Sequence, residues 1–281
     1  MTGPAKIAKP SGMKGEIKTV TSASNPAIKL VRALEDKKHR RETGLFLAEG
    51  LRTALAAAEQ GRLPKTLIYS DELAEHGKLK PFLARCLNAG VECIMAGRQA
   101  MEKISRRDNP QGVIGVYEAR LTALDDIPAQ TGDCVIGLQM VRDPGNLGTI
   151  LRTADAVGAA GIVLIDDCCD PFSIEAVRAS MGSIFAVRLG KSGFAEFEAL
   201  CRKRNGQMVG TSLRASQDYR KPDYTKAPTF LLMGNEQAGL PEAYENACDA
   251  RVRIPMRGTA DSLNLAVATA ILLYEINRKS L

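Results

Sequence analysis

Apolar and polar residues alternate in patterns that predict strands and helices in turn along most of the chain. Between residues 21 and 117, short apolar runs predict strands at 44–48, 67–69, 91–95 and 113–117. Helices are predicted at 25–34, 51–60, 81–88 and 98–103, the first with a proline in its first turn and the second ended by Gly61. This half of the chain is therefore predicted to form a small α/β sandwich.

The alternation restarts after residues 120–131, a polar stretch with a proline that is typical of a linker. Strands are predicted at 134–139, 161–165, 185–189, 207–211, 229–233 and 251–254, with helical stretches between them. Such an alternation indicates βαβ units and a parallel sheet with helices on both faces. We expect a flexible basic tail at 1–18, a first domain at 19–119, the linker at 120–131 and a second domain at 132–281.

Composition places few limits on function. A length of 281 residues suits two domains, and 45% hydrophobic with 25% charged residues is ordinary for a soluble globular protein. The net charge of +6 mildly favours an anionic partner, and a basic run at 37–41 is either part of such a contact or a solvated surface. Residues 1–20 lack the apolar core of a signal peptide, and the apolar run at 265–274 is too short to span a bilayer. We therefore expect a cytoplasmic protein without a membrane segment.

The cysteines and histidines do not form a metal-binding pattern. Seven cysteines occur without a C-x-x-C pair, and only His39 and His76 are present, so zinc-ligand spacing is absent. The neighbouring Cys168 and Cys169 are either a metal or redox site or, as we prefer, thiols at a strand end in a reducing compartment. We expect no metal.

The segment 254–264 is the most informative part of the chain. This polar loop carries Gly258, Ser262 and Asn264 and runs directly into 265–275, a stretch that is apolar almost all round and therefore predicts a buried helix. Ser262 is either simply the cap of that helix or, with Asn264, part of a binding or catalytic site.

Two further loops follow predicted strands, at the sheet edge where α/β proteins bind ligands. The first, 143–148, opens a predicted helix at 149–157, on which Arg152 lies off the apolar face. Arg152 is either solvated or shares a pocket with Asn146. The second, 234–239, carries two glycines and Glu236. Neither loop has the dinucleotide-binding fingerprint, and the sequence contains no P-loop motif. A dinucleotide-binding or P-loop function is therefore only weakly supported.

Together, three motifs resemble the SpoU-type, TrmH-like branch of the SPOUT RNA methyltransferases. They are N146-x-G148-x-x-x-R152, G234-x-E236-x-x-G239 and I254-P-M-x-G258-x-x-x-S262-L-N264. The first half is similar to the RNA-binding substrate domain of that group through T21-S-x-x-N25-P-x-I-K29, F46-L-x-E49-G50 and N109-P-Q-G112. Asp261 stands where the family more often has Glu, which keeps the charge.

The resemblance implies transfer of a methyl group from S-adenosyl-L-methionine to a ribose 2′-oxygen of RNA. It also implies a deep trefoil knot in the second domain and a homodimer formed through that domain. By resemblance, Gly234, Ile254, Met256 and Leu263 hold the cofactor, and Arg152 is catalytic with Asn146, Glu236, Ser262 and Asn264 around it. Because arginine stays protonated in water, we favour a positioning and electrostatic role for Arg152 over that of a base.

RNA affinity is assigned to the first domain, where Lys37, Lys38, Arg40, Arg41, Arg106 and Arg107 are expected to contact phosphates. Ribosomal RNA, most simply 23S, is favoured over transfer RNA, and a non-catalytic RNA-binding protein of the same fold is a further alternative. A nucleotide-dependent dehydrogenase is disfavoured because its glycine fingerprint is missing.

Overall fold

The structure, a computed structural model, describes residues 15–22, 24–104 and 111–281, without the side chain of Lys103. Most of the tail predicted at 1–18, as well as Arg106, Arg107 and Asn109, lies outside these residues. The chain divides into two compact units, residues 1–119 and 120–281.

The first unit contains a five-stranded sheet with the order β1-β4-β3-β5-β2. Its strands are β1 Ile17–Val20, β2 Leu45–Glu49, β3 Thr66–Ser70, β4 Glu92–Ala96 and β5 Val113–Glu118, and its helices are α1 Pro26–Ala33, α2 Lys37–Thr43, α3 Leu51–Glu59, α4 Leu79–Asn88 and α5 Arg98–Ile104. β1, β4 and β3 are parallel, while β5 runs antiparallel to both β3 and β2. The predicted α/β sandwich is confirmed.

Helices cover both faces of this sheet because successive strand residues point to opposite sides. Ile68 and Ile94 pack on one face with residues of α1 and α5. Leu67 and Cys93 pack on the other face with residues of α3 and α4. α1 and α4 therefore lie on opposite sides of the sheet.

Two elements of this unit depart from the predictions. β1 includes residues 17 and 18, which we had assigned to the flexible tail. α2 falls on the basic run, which has no apolar periodicity to predict a helix. It forms because its ends are capped: the Asp36 Oδ1 atom accepts hydrogen bonds from the N–H groups of Lys38 and His39, and Gly44 adopts a φ of 66° after its last residue.

The second unit contains a seven-stranded sheet with the order β10-β12-β9-β11-β6-β7-β8. Its strands are β6 Cys134–Gln139, β7 Gly161–Ile165, β8 Leu189–Ser192, β9 Gln207–Thr211, β10 Gln217–Asp218, β11 Thr229–Met233 and β12 Ala250–Arg253, and its helices are α6 Pro144–Ala156, α7 Ile174–Ala179, α8 Phe194–Lys203, α9 Glu242–Ala247 and α10 Leu265–Ile276. All paired strands are parallel. The predicted parallel α/β fold is confirmed, whereas the implied knot stays a prediction.

Three details of the second unit correct the sequence analysis. The strand predicted at 185–189 is wrong: a 3₁₀ turn covers Ser183–Phe185 and the strand begins only at Leu189. The helix predicted at 149–157 begins earlier, because Pro144 occupies its first turn and Asp143 caps it. Residues 120–131, predicted as a short linker, pack within the second unit: Ile127 is fully buried and the Thr122 N–H donates to the Leu189 carbonyl.

The strand order brings four loops together. β12, β9, β11 and β6 are consecutive neighbours, so the loops that follow their carboxyl ends meet along one edge of the sheet. Among the described residues, the helices are all too short or too polar to cross a membrane.

Candidate active site

The four loops enclose a cleft of about 1010 Å³. That volume is at the upper end of the range of roughly 300–1,000 Å³ for small-molecule sites. The loop after β6 contributes Arg142, Asp143 and Asn146, the loop after β9 Ser212, Leu213 and Arg214, the loop after β11 residues 234–239, and the loop after β12 Ile254, Met256 and residues 261–264. Every residue in the cleft wall belongs to the second unit.

The loop after β11 is held as a closed turn. The backbones of Asn235 and Gly239 exchange two hydrogen bonds, at 3.0 and 3.1 Å. The Asn235 Oδ1 atom also accepts from the N–H groups of Gln237 and Ala238. A Cβ atom at Gly234 would overlap the backbone of Gly239 and Leu240, so only glycine fits at the start of this turn.

A chain of side-chain hydrogen bonds ties three of the loops together. The Asn264 Nδ2 group donates to the Asn146 Oδ1 atom at 2.9 Å, and the Asn146 Nδ2 group donates to the Glu236 Oε1 atom at 3.3 Å. The other Glu236 oxygen, Oε2, accepts from the Arg142 backbone N–H at 3.4 Å. The three motifs that were separate in the sequence thus form one polar network at the cleft.

Asn264, not Ser262, is the N-cap of α10. The Asn264 Oδ1 atom accepts hydrogen bonds from the N–H groups of Ala266 and Val267, at 2.9 and 3.3 Å. The Ser262 hydroxyl lies 3.2 Å from the Asp261 carboxylate, to which it donates, and its side chain is exposed in the cleft wall. The interpretation of Ser262 as the helix cap is therefore wrong.

Arg152 does not share the cleft of its own chain. Its side chain is exposed, and it does not contribute to the cleft wall. It follows Asn146 by six residues on α6, which is about 600° of helical rotation, so the two side chains point about 120° apart. The pocket that we had allowed Arg152 and Asn146 to share is not formed within one chain.

The four residues expected to hold the cofactor all line the cleft. They are Gly234, Ile254, Met256 and Leu263. Met256 and Leu263 are 37% and 39% exposed, which is unusual for large apolar side chains beside a polar network. Exposed apolar surface inside a concave site is the kind of wall that a ligand with an aromatic ring covers.

Sequence reasoning missed Asn235 and Arg142. Besides closing its own loop, Asn235 donates through Nδ2 to the Met140 carbonyl at 2.8 Å and thereby joins the loops after β11 and β6. The Arg142 Nη1 group lies 2.9 Å from the Asp167 Oδ2 atom, which holds the guanidinium at the cleft wall. Asn235 directly precedes Glu236, and Arg142 directly precedes Asp143. This proximity to the loops predicted to bind a ligand could have identified both residues from the sequence.

Cys168 and Cys169 are structural thiols. The Cys168 Sγ group donates to the carbonyls of Leu138 and Ile165. Burial, together with nearby negative groups that include Cys168 and Glu236, raises the pKa of the Cys169 thiol to about 12. A thiol with such a pKa stays protonated at neutral pH and is a poor nucleophile or metal ligand. Within the described residues, no group of three or more metal-ligating side chains is found.

In the first unit, Lys37, Lys38 and Arg41 are exposed on α2. Arg40 is not: it is only 7% exposed, and its Nη1 group donates to the carbonyls of Leu34 and Glu35 at 2.9 and 2.7 Å. The prediction that Arg40 contacts phosphate is wrong, because its guanidinium holds the end of α1. Arg106 and Arg107 lie outside the described residues.

The fold and the cleft define an α/β protein that binds a small molecule at the carboxyl edge of a parallel sheet. The profile of the SpoU rRNA Methylase family matches residues 133–274, and that of the MRM3-like substrate binding domain matches residues 25–115. Among solved structures, an AdoMet-bound rRNA methyltransferase from Sinorhizobium meliloti is 46% identical with a TM-score of 0.89, covering 95% of this chain and 100% of that chain.

Two relatives of known specificity are similar over most of their length. The 23S rRNA (uridine(2479)-2′-O)-methyltransferase of Streptomyces viridochromogenes is 35% identical over 88% of this chain and 87% of its own. The 23S rRNA (guanosine(2553)-2′-O)-methyltransferase RlmP of Bacillus subtilis (strain 168) is 30% identical over 92% of this chain and 99% of its own. The chain belongs to the SpoU rRNA methylase family, as its three motifs predicted.

Proposed function

We propose that this protein transfers the methyl group of S-adenosyl-L-methionine to a ribose 2′-hydroxyl of ribosomal RNA. The observation that carries the proposal is the hydrogen-bond chain from Asn264 through Asn146 to Glu236, which joins the three family motifs at one cleft. Relatives that methylate a uridine or a guanosine of 23S rRNA support this RNA as the substrate. Because ribosomal RNA is the substrate, we assign the protein to the cytoplasm.

The cleft suits S-adenosyl-L-methionine, which supplies an activated methyl group when it is bound. Gly234 would allow backbone to approach the ligand closely, since no side chain fits there. Met256 and Leu263 would cover an aromatic base with their exposed apolar surface, and Ile254 would complete that wall. No charged cluster is needed for such a site, because backbone groups and apolar side chains provide most of the contact.

The residues of the cleft must orient a ribose hydroxyl and help it lose its proton. Neither histidine of the chain lines the cleft, so the usual general base is missing from its wall. We assign Arg152 the task of orienting the nucleophile and stabilising the developing oxyanion, since a guanidinium stays protonated but donates several hydrogen bonds. Asn146, Glu236, Ser262 and Asn264 shape the pocket and hold the substrate by hydrogen bonds.

Arg152 points away from its own cleft, which supports a homodimer whose partner receives it. α10 supplies a surface for such an association. Val267 and Tyr274 are 49% and 53% exposed and lie seven residues apart, so they share one face of the helix. Large exposed apolar side chains on one helix face are typical of an interface between subunits. We therefore propose that two chains pair through α10 and that each completes the site of the other.

Replacing Arg152 tests the catalytic assignment. Arg152→Ala should lower methyl transfer to ribosomal RNA by about 100- to 1,000-fold, the usual effect of removing one group that stabilises an oxyanion. Its affinity for S-adenosyl-L-methionine, measured by calorimetry, should stay within about twofold of wild type, because Arg152 is assigned to the ribose hydroxyl and not to the cofactor. Transfer is measured with radiolabelled cofactor and total RNA.

The matched control is Arg188→Ala, an exposed arginine of the same unit that does not line the cleft, which should keep wild-type turnover. Normal turnover of Arg152→Ala would refute its catalytic role. Label in transfer RNA instead of ribosomal RNA would identify the alternative substrate. Cofactor binding without label in any RNA would favour a non-catalytic RNA-binding protein.

A further inference from the structure

Four exposed cations surround the corner between α1 and α2. They are Lys29 and Arg32 on α1 and Lys37 and Arg41 on α2. Within the described residues, none of the four side chains has an ion-pair partner. Elsewhere in the same unit, Lys18, Lys65, Lys80 and Arg98 each lie within 3.0 Å of a carboxylate. We call the four unpaired cations the basic corner.

Helix stability favours Arg41, in the last turn of α2, but does not explain Lys37. Lys37 and Lys38 lie in the first turn of that helix, which contains no acidic residue. A positive charge at a helix N-terminus faces the positive end of the helix dipole and destabilises the helix. A residue that destabilises the helix in which it lies is typical of a functional surface.

Arg40 makes the corner one rigid unit. Its buried guanidinium donates to the carbonyls of Leu34 and Glu35, just after the end of α1, so it fixes α2 against α1. The three acids nearby are already engaged: Asp36 caps α2, Glu42 lies 3.9 Å from Lys38, and Glu35 also has a partner. The four cations are therefore held close together and are not neutralised by their neighbours.

We propose that the basic corner binds consecutive phosphates of the RNA substrate. Lys29 and Arg32, like Lys37 and Arg41, are separated by one helical turn, about 5–6 Å between Cβ atoms, which is similar to the separation of neighbouring phosphates along a strand. The inference rests on the proposed function, because it names the surface by which that same substrate is held. Arg40 is a positioning residue of this surface.

The composition of the corner also predicts the kind of recognition. Apart from the four cations, the large side chain that α1 exposes is Leu30, at 36%, and neither helix contains Phe, Tyr or Trp. Without the large ring of Phe, Tyr or Trp to stack on bases, contacts to phosphate hold the RNA and do not read its sequence. The basic corner should therefore supply affinity and not specificity.

Two double variants test the proposal, Lys29→Gln with Arg32→Gln and Lys37→Gln with Arg41→Gln. Binding of a fluorescein-labelled ribosomal RNA fragment is followed by anisotropy at several salt concentrations. Each double variant should raise Kd roughly tenfold or more at 0.1 M salt and reduce the slope of log Kd against log salt by about 1–2. The same loss is expected with a fragment of scrambled sequence.

Lys78→Gln with Arg85→Gln is the matched control. Both residues are exposed, and Arg85 lies on α4, on the other face of the sheet. This variant loses the same charge but should keep its Kd within about twofold, because its cations are far from the corner. Circular dichroism and cofactor affinity should match wild type in all three variants, so that loss of fold is recognised.

The outcomes separate this inference from the proposed function. Unchanged Kd and salt slope in both corner variants, or a loss confined to one RNA sequence, would overturn the inference even if wild type methylates ribosomal RNA. An equal loss in the control would also overturn it, because net charge alone would then explain the binding. If wild type transfers no methyl group but the corner variants lose affinity as expected, the proposed function fails and the RNA surface stands.

Discussion

Asn264 uses both ends of its side-chain amide. The Oδ1 atom must face the N–H groups of Ala266 and Val267 to cap α10, and this leaves only the Nδ2 group to point at Asn146. Because Oδ1 of Asn146 then accepts, its Nδ2 group must donate to Glu236. The start of one helix therefore sets the orientation of two other polar groups in the cleft.

Asn264→Asp should separate these two roles. Aspartate caps helices as well as asparagine and favours the positive end of the dipole, so the melting temperature should change by only a few degrees. The new carboxylate cannot donate to Asn146 and faces its oxygen instead. We expect a roughly 10- to 100-fold loss of kcat/KM, the effect of one lost hydrogen bond with a repelled partner.

Asn264→Ala provides the comparison, because it removes the cap as well and should lower both the melting temperature and the activity. Methyl transfer by Asn264→Asp at the wild-type rate would contradict the link between the cap and the cleft. A large drop in its melting temperature would contradict the assumption that capping is retained.

Ser262 and Arg40 show why the roles of single residues could not all be predicted from the sequence. Serine and asparagine cap helices equally well, so the sequence alone cannot decide between Ser262 and Asn264. Burial of Leu265 and Ala266 decides it, since α10 must begin where the core begins. Arg40 was grouped with its solvated neighbours because a basic run does not reveal which guanidinium turns back onto the chain.

Among the elements, the buried strands were predicted best. β6, β7, β9 and β11 have the predicted bounds, because each is a short apolar run between turn residues. α2 and β10 were missed because they carry no apolar period and depend on caps and neighbouring strands. The apolar residues at 185–187 were mistaken for a strand, since a short apolar run alone does not distinguish strand from turn.

The exposed face of α10 allows the proposed homodimer to be tested. Val267→Glu together with Tyr274→Glu should give a monomer by sedimentation velocity, since two buried carboxylates without partners would destabilise the proposed interface. Methyl transfer should fall at least tenfold when the dimer is lost, because Arg152 could no longer reach a partner's cleft. Both side chains are about half exposed in the single chain, so its fold should be retained.

Leu121→Glu is the control for this experiment. Leu121 is 50% exposed in the same unit but lies far from α10 in sequence, before β6, the first strand of that unit. It should leave both the mass and the activity unchanged. A double variant of α10 that still sediments as a dimer would refute the proposed interface, and a wild-type monomer with full activity would refute the dimer itself.

For the whole molecule, the fold class followed from the alternation of strands and helices. The order β10-β12-β9-β11-β6-β7-β8 did not, because it depends on contacts between residues far apart in the chain. The convergence of four loops on one cleft is a result of that order. Only the spacing of the three motifs, taken with the family resemblance, connected them beforehand.

The cysteines make the whole molecule sensitive to alkali. Burial raises the pKa of six thiols from an ordinary value near 9 to about 12: Cys86, Cys93, Cys134, Cys169, Cys201 and Cys248. Below pH 9 both the folded and the unfolded chain keep these protons. Between pH 9 and 12 only the unfolded chain loses them, so the free energy of unfolding falls as pH rises.

Urea unfolding at a series of pH values under reducing conditions measures this effect. The free energy of unfolding should fall by at least about 2 kcal/mol between pH 8 and 10, since each thiol contributes up to roughly 1.4 kcal/mol per pH unit above its unfolded pKa. Cys134→Ala, which removes one fully buried thiol, should show a shallower decline. Equal stability at pH 8 and 10 would contradict the prediction.

The hydrogen bonds from Asn264 through Asn146 to Glu236 each run in a fixed direction, and this restricts how the three loops can be exchanged between related proteins. Asn264, Asn146 and Glu236 come from three distant stretches of the sequence, yet each fixes the donor or acceptor that the next must present. A chimaera that takes only one of these loops from a protein lacking the matching amide would set two acceptors or two donors against each other. The three loops are therefore exchangeable between proteins only as a set, and the same coupling limits the order in which natural variants can accumulate.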